Sequence, residues 1–340
     1  MTTLVTTITE TLRYRGNIGQ WSWVLHRVSG LGVVFFLTLH VIDTSWAFFY
    51  PELYVHAIAV YQTPLFTIGE FGLVAAVVYH ALNGLRIIMF DYRPKWWKHQ
   101  SQAALLVLGL TIMLLVPVFV GMFGHVLAFY NEPDRQTLGL VDVIVSQLPF
   151  VAGIGGAAIL AVIASFAAGM FLQDTAANAT LKRGSSFERF WWSFMRVSGV
   201  LIVPLVFGHL AMMHVIQGVF DITAQGTTVV GTTAVNLSGT SVEFVANRWN
   251  FLFAGVAIWR FYDFALLALV VAHGFNGLRY VLTDYLMDRP LFRRAAVYFC
   301  VMGASVLLIL GGLALLNTID SSAIEIARAE AAILLSLIHI

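Results

Sequence analysis

HALNGLRIIMFDY, residues 80–92, closes a long apolar run, LFTIGEFGLVAAVVY (65–79), and returns nearly intact as HGFNGLRYVLTDY at 273–285. In both copies Arg follows His by six residues, and Asp-Tyr sits five past the Arg. Unpartnered polar side chains inside lipid cost several kcal/mol each. His80, Asn83, Arg86 and Asp91 therefore need a reason to be there, and so do their echoes. A second string repeats as well. HRVSGLGVVFFLTLH (26–40) matches MRVSGVLIVPLVFGH (195–209), and in both a His follows the Arg by 13 residues.

The chain around these strings is a membrane chain. Its 340 residues are 59% hydrophobic and 11% charged, against about 25% charged in soluble domains. Lipid offers the backbone no partners, so the expected fold is all-α, an integral membrane protein. Seven apolar segments are long enough to span: 22–49, 66–90, 102–129, 150–172, 191–219, 254–286 and 293–316. The net charge of +1 says nothing about partners, and nothing points to nucleic acid. Cys300 is the single cysteine, which excludes an internal disulfide and any multi-cysteine metal site. It reads as a packed apolar residue. The polar N-terminus has no signal-peptide core, so the first spanning helix is expected to serve as the targeting signal.

Placing the N-terminus inside puts 15 of the 19 Lys and Arg on that side; Arg135, Arg248, Arg260 and Arg328 fall outside. The positive-inside rule then orients a multi-pass protein with its N-terminus on the cytoplasmic side and its C-terminus outside, and the inner (cytoplasmic) membrane is the expected location. The repeated strings lie beside basic residues in both halves, so the repeats run parallel. Three helices per half would leave the second half inverted. The uncharged segment 150–172 is read as the connector that returns the chain. The resulting division is a first half (1–130), a linker with one helix (131–180), a second half (181–317) and a tail (318–340) read as an amphipathic helix on the outer interface. The outer loop 221–249 lacks helical periodicity.

Ten histidines are present. His26, His56, His99, His125 and His339 read as interfacial polar residues. His214 faces away from His209, about 140° around the helix. His40, His80, His209 and His273 lie inside apolar spans at repeat-matched positions. If Arg27, Arg86, Arg196 and Arg279 share one level, His80 and His273 lie about 9 Å deep and His40 and His209 about 20 Å deep. Two layers roughly 11 Å apart result, each with one His from each half. Two imidazoles facing across a bundle suit the axial positions of haem iron. Zinc wants three or four ligands and fits poorly. A chlorophyll or carotenoid site needs only one His. A proton relay wants more carboxylates, and Asp43, Glu70 and Asp263 read as scattered. Gly30, Gly32, Gly84, Gly199, Gly274 and Gly277 leave room for a flat ring or for close helix packing.

HRVSG, followed by a second helix with H-x-x-x-G-[IL]-R and a trailing Asp, resembles the cytochrome b anchor of succinate dehydrogenase, complex II. The second half, ending HGFNGLRYVLTDY, resembles that complex's companion anchor, so the chain reads as the two anchors fused. The resemblance implies haem b ligated by His80 and His273, and in two-haem members a second haem ligated by His40 and His209. Two haems are expected, one being the alternative. It implies a quinone pocket at the inner surface with Arg27 and Tyr285. The family's serine falls on Trp23, with Ser22 one residue away, and His26 lines the same region. Arg86, Arg196 and Arg279 are candidates for haem propionate or quinone. Menaquinone is expected ahead of ubiquinone.

No flavin fingerprint or cysteine set for iron–sulfur clusters is present. The chain does not oxidise succinate itself. The implied partners are the flavoprotein and iron–sulfur subunits, docked at 93–100 and 182–192, together with quinone and membrane lipid. The competing readings are a di-haem cytochrome b of another dehydrogenase and a non-redox repeat transporter.

Overall fold

The computed structural model describes residues 16–61, 64–131, 186–212 and 241–338, with isolated positions between 141 and 167. Nine α-helices occupy these residues: α1 (Ile18–Phe49), α2 (Pro51–Tyr61), α3 (Pro64–Tyr92), α4 (Gln100–Asn131), α5 (Ser186–Leu210), α6 (Ser241–Asn250), α7 (Ile258–Tyr285), α8 (Pro290–Leu316) and α9 (Ser321–Ile338). A 3₁₀ turn, Pro94–His99, joins α3 to α4. Among the described residues there is no strand, only an isolated bridge between Phe253 and Val256. Six helices are long and apolar enough to cross a membrane: α1, α3, α4 with the preceding turn, α5, α7 and α8. The protein is an all-α integral membrane protein.

The expected linker helix at 150–172 lies outside the described residues, apart from isolated helical positions. The span expected at 254–286 begins later. Ala254 and Gly255 both have positive φ (48° and 81°) and form a tight turn closed by Phe253 and Val256, so α7 starts at Ile258. Prolines open α3, α8 and the 3₁₀ turn, where the missing amide hydrogen costs nothing. The Asn17 side chain accepts from the Gly19 amide and caps α1.

Two ends of the bundle are distinct. The arginine end holds Arg27, Arg86, Arg196 and Arg279. Its two halves are tied reciprocally: Arg27 of α1 pairs with Asp284 of α7, and Arg196 of α5 pairs with Asp91 of α3 through Nε (3.0 Å) and Nη2 (2.5 Å). Each arginine also lies over a tryptophan four residues earlier, Trp23 at 4.0 Å and Trp192 at 3.7 Å. Equivalent residues of the two halves thus make equivalent contacts.

The far end is closed by α2, α6 and α9. Eight of the ten residues of α6 are buried, although its sequence is polar and carries no span-like run. Its packing explains this. Val242, Phe244, Val245, Ala246 and Trp249 join the core with Tyr54 and Val55 of α2, Val41 of α1 and Ala327 of α9. Arg328 of α9 reaches Glu243 at 3.0 Å. The tail, expected along an interface, packs on α2 and α6 through α9. The main core continues between α1, α7 and α8, with Val34, Val271, Phe275, Cys300 and Leu307; Cys300 is buried there. α4 turns Leu105, Leu106, Ile112, Met113, Val116 and Val120 outwards, as a lipid-facing helix should.

The Arg196–Asp91 pair is partly buried and forked. Exposed pairs couple by about 0–1 kcal/mol. A double-mutant cycle of Arg196→Gln and Asp91→Asn, read by unfolding of the detergent-solubilised protein, is expected to give a coupling of about 1 kcal/mol or more. Additive effects would rule out a stabilising tie.

Candidate functional site

A cavity of about 560 Å³ runs along the inside of the bundle between α1, α3, α5 and α7. His40, His80, His209 and His273 all line it, as does His26. The two second-helix histidines are held in the same way. His80 Nδ1 lies 3.0 Å from the His26 carbonyl, which can only accept, so Nδ1 carries the proton. Ser29 lies 3.4 Å from the same nitrogen, and its hydroxyl donates to the His26 carbonyl. In the second half, His273 Nδ1 lies 2.9 Å from Ser198 Oγ. That hydroxyl donates to the Phe194 carbonyl at 2.6 Å, so it accepts from His273. Both rings are therefore Nδ1–H tautomers with the Nε2 lone pair left to bind. That is the state in which imidazole ligates a metal, its other nitrogen donating to a carbonyl or hydroxyl.

Glycines make the room. A Cβ on Gly30 would stand 2.8 Å from His80 Cε1, and one on Gly199 would stand 3.5 Å from His273 Cε1. These are repeat equivalents, one residue past Ser29 and Ser198. His40 and His209 face each other with ring centres 6.1 Å apart and planes at 74°. Two imidazoles on one metal, with metal–nitrogen bonds of about 2 Å, have ring centres roughly 6 Å apart. The residues present fit axial ligation of a flat macrocycle.

The depth of the two layers differs from expectation. Ser198 meets His273, and His209 Nδ1 stands 3.9 Å from Asp263. Those contacts set the register of α5 against α7, eleven residues apart on α5 and ten on α7. At 1.5 Å per residue the layers are about 16 Å apart, not about 11 Å. The error lay in giving the four arginines one level. Ser22 meets Asn83 (2.8 Å) and Ser29 meets His80, so Arg27 is rooted roughly one to two turns deeper than Arg86. Its long side chain reaches back to Asp284.

The remaining expected residues separate clearly. Arg27 and Arg196 line the cavity. Arg86 does not: its Nη1 donates to the Gln100 carbonyl at 3.3 Å. Arg279 forks onto Glu188 at 3.0 and 3.2 Å and donates to Asn276. Ser22 is buried between Tyr79 and Asn83. Trp23 (41% exposed) and Tyr285 (61%) stand at the open arginine end. His26, read as interfacial, instead stacks on His80 with ring centres 4.0 Å apart and planes at 7°. The side chains of His125, His214 and His339 lie outside the described residues. His56 bonds Glu330 at 2.8 Å and His99 bonds Gln102 at 3.1 Å.

Sequence reasoning missed three groups. Ser198, the acceptor for the His273 ring proton, and Ser29, 3.4 Å from His80 Nδ1, stand in the repeated string itself. Glu70 and Asp263, read as scattered, each precede the second-helix His by ten residues and both line the cavity. Arg248 of α6, 4% exposed, lines its far end; no periodicity marked that helix.

A family model described as the succinate dehydrogenase/fumarate reductase transmembrane subunit matches residues 7–129 and 172–311. The chain belongs to this family. Two curated relatives are matched over most of their length. The succinate dehydrogenase 2 membrane subunit SdhC of Mycobacterium tuberculosis is 39% identical over 130 residues, 37% of this chain and 96% of that protein. The succinate dehydrogenase hydrophobic membrane anchor subunit of Halobacterium salinarum is 27% identical over 105 residues, 30% of this chain and 81% of that protein. No solved structure matches the chain.

Gly30 and Gly199 give an asymmetric test. Gly30→Ala forces the His80 ring to move and is expected to destabilise by about 1–3 kcal/mol. Gly199→Ala makes only ordinary contact and gains helix propensity, so it should be neutral or stabilising by up to about 1 kcal/mol. Thermal unfolding of the solubilised variants reads the difference.

Proposed function

We propose that this family member is a fused double anchor, the di-haem cytochrome b membrane subunit of a succinate:quinone oxidoreductase, passing electrons from an iron–sulfur subunit to quinone. The observation that carries the reading is the duplicated Ser–His pairing, which leaves an unprotonated Nε2 in each half beside one shared cavity. His80 and His273 are the ligands near the arginine end, and His40 and His209 those of the far layer. Haem b, when bound, supplies one-electron chemistry between the soluble subunits and the quinone. Arg196, which lines the cavity, is the propionate partner at the arginine end.

The quinone pocket is assigned to the open arginine end. Arg27 is oriented there by Asp284 and by the Trp23 ring beneath it. The exposed Tyr285 phenol donates to a quinone carbonyl. Menaquinone is the proposed quinone. The flavoprotein and iron–sulfur subunits dock on this end, on the cytoplasmic side, where Trp96, Trp97, Phe187, Phe190 and Trp192 are exposed beside basic residues. The match of the family model to two separate segments, 7–129 and 172–311, supports the fusion.

A reduced-minus-oxidised spectrum of the purified complex tests the reading. Two b-type haems reducible by succinate are expected. His80→Ala or His273→Ala should remove one, and His40→Ala or His209→Ala the other. Absence of any b-type band rejects the cytochrome reading, and full two-haem content in His209→Ala refutes the pairing. Tyr285→Phe should lower succinate–quinone activity roughly tenfold, one hydrogen bond's worth, while succinate oxidation with an artificial acceptor stays intact. Equal loss of both activities would move Tyr285 from the quinone to the assembly of the complex.

A further inference from the structure

The far layer is not symmetric, although the sequence repeat is. Asp263 and Glu70 are repeat equivalents, level with His209 and His40 respectively. Asp263 is gripped by α6: Arg248 donates to it through Nε (3.3 Å) and Nη2 (3.1 Å), and Trp249 Nε1 donates at 3.2 Å. The Arg248 guanidinium also stacks on Trp259 at 4.5 Å. The same carboxylate stands 3.9 Å from His209 Nδ1. In the first half, Glu70 lines the cavity with Oε2 buried and without a hydrogen-bond partner among the described residues. No helix equivalent to α6 reaches it among those residues.

We propose that Asp263 is the positioning carboxylate of His209, and that α6, through Arg248 and Trp249, sets its charge and place. This rests on the reading of His209 as a ligand of the far haem. A carboxylate beside the outer nitrogen of a ligating imidazole makes that ligand more basic and stabilises the oxidised metal. Arg248 moderates this by neutralising the carboxylate. The device lets a helix outside the repeat tune one of two otherwise repeat-equivalent ligands of the far layer.

The test is a potentiometric titration of both b-type haems in the intact complex, with His209→Ala identifying the far one. Asp263→Asn removes the carboxylate and should raise the far haem's potential. Arg248→Gln leaves the carboxylate uncompensated and should lower it. Each shift should be about tenfold in the reduction equilibrium, about 59 mV for one electron. The haem near the arginine end should not move, and Asp263→Glu should restore most of the Asn effect. A merely structural role would shift both variants the same way or not at all, and either result overturns the proposal. If Asp263→Asn loses the far haem, Arg248→Gln decides alone: a lowered potential supports the proposal and an unchanged one sinks it. Wild-type complex without haem would instead refute the underlying function.

Discussion

A histidine inside a lipid-spanning helix has two ring nitrogens to satisfy and no water to do it. Here one nitrogen is satisfied by the neighbouring helix, through the serine of each Arg-Val-Ser-Gly string and, in the first half, the carbonyl beside it. That bond decides the tautomer, and so decides which nitrogen can bind something else. It also sets the register between the first and second helix of each half. Once Ser29 is opposite His80 and Ser198 opposite His273, the rest follows by helical rise. Glu70 comes level with His40, Asp263 with His209, and the polar layers align without further instruction.

The bonds inside each half do not join the halves. That work falls to the arginine end, where each half's arginine reaches the other half's aspartate, and to the apolar packing of α1 on α7 and α8. The apolar term is the larger. Buried side chains such as Val34, Val271 and Leu307 contribute about 1.5–3 kcal/mol each in water-based accounting, with less in lipid, whereas a partly exposed ion pair contributes about 1. The pairs act more on alignment than on stability: a charge facing the wrong partner inside the membrane boundary is penalised heavily.

Much of this was legible in the chain. Apolar length gave the six described spans, and the two repeated strings marked the four histidines that line the cavity. What the strings could not give was the vertical offset between helices. Arginine side chains are long enough to reach a common surface from different depths, so Arg27 and Arg86 look level in sequence while their backbones are not. Ser29 and Ser198 were visible, but a serine mid-helix ordinarily bonds its own backbone, as Ser198 also does. The seat of α6 was illegible for a different reason. Its residues are buried by elements from three other parts of the chain, and no local periodicity records that.

The seat of α6 has a consequence for biosynthesis. Glu243 is met by Arg328, the Asn250 amide by the Ile319 carbonyl, and the Trp249 carbonyl by Arg260. Every one of those partners is translated after α6 itself. α6 can meet α1 and α2 as soon as it is made, but the polar half of its seat is completed only when the last helix arrives.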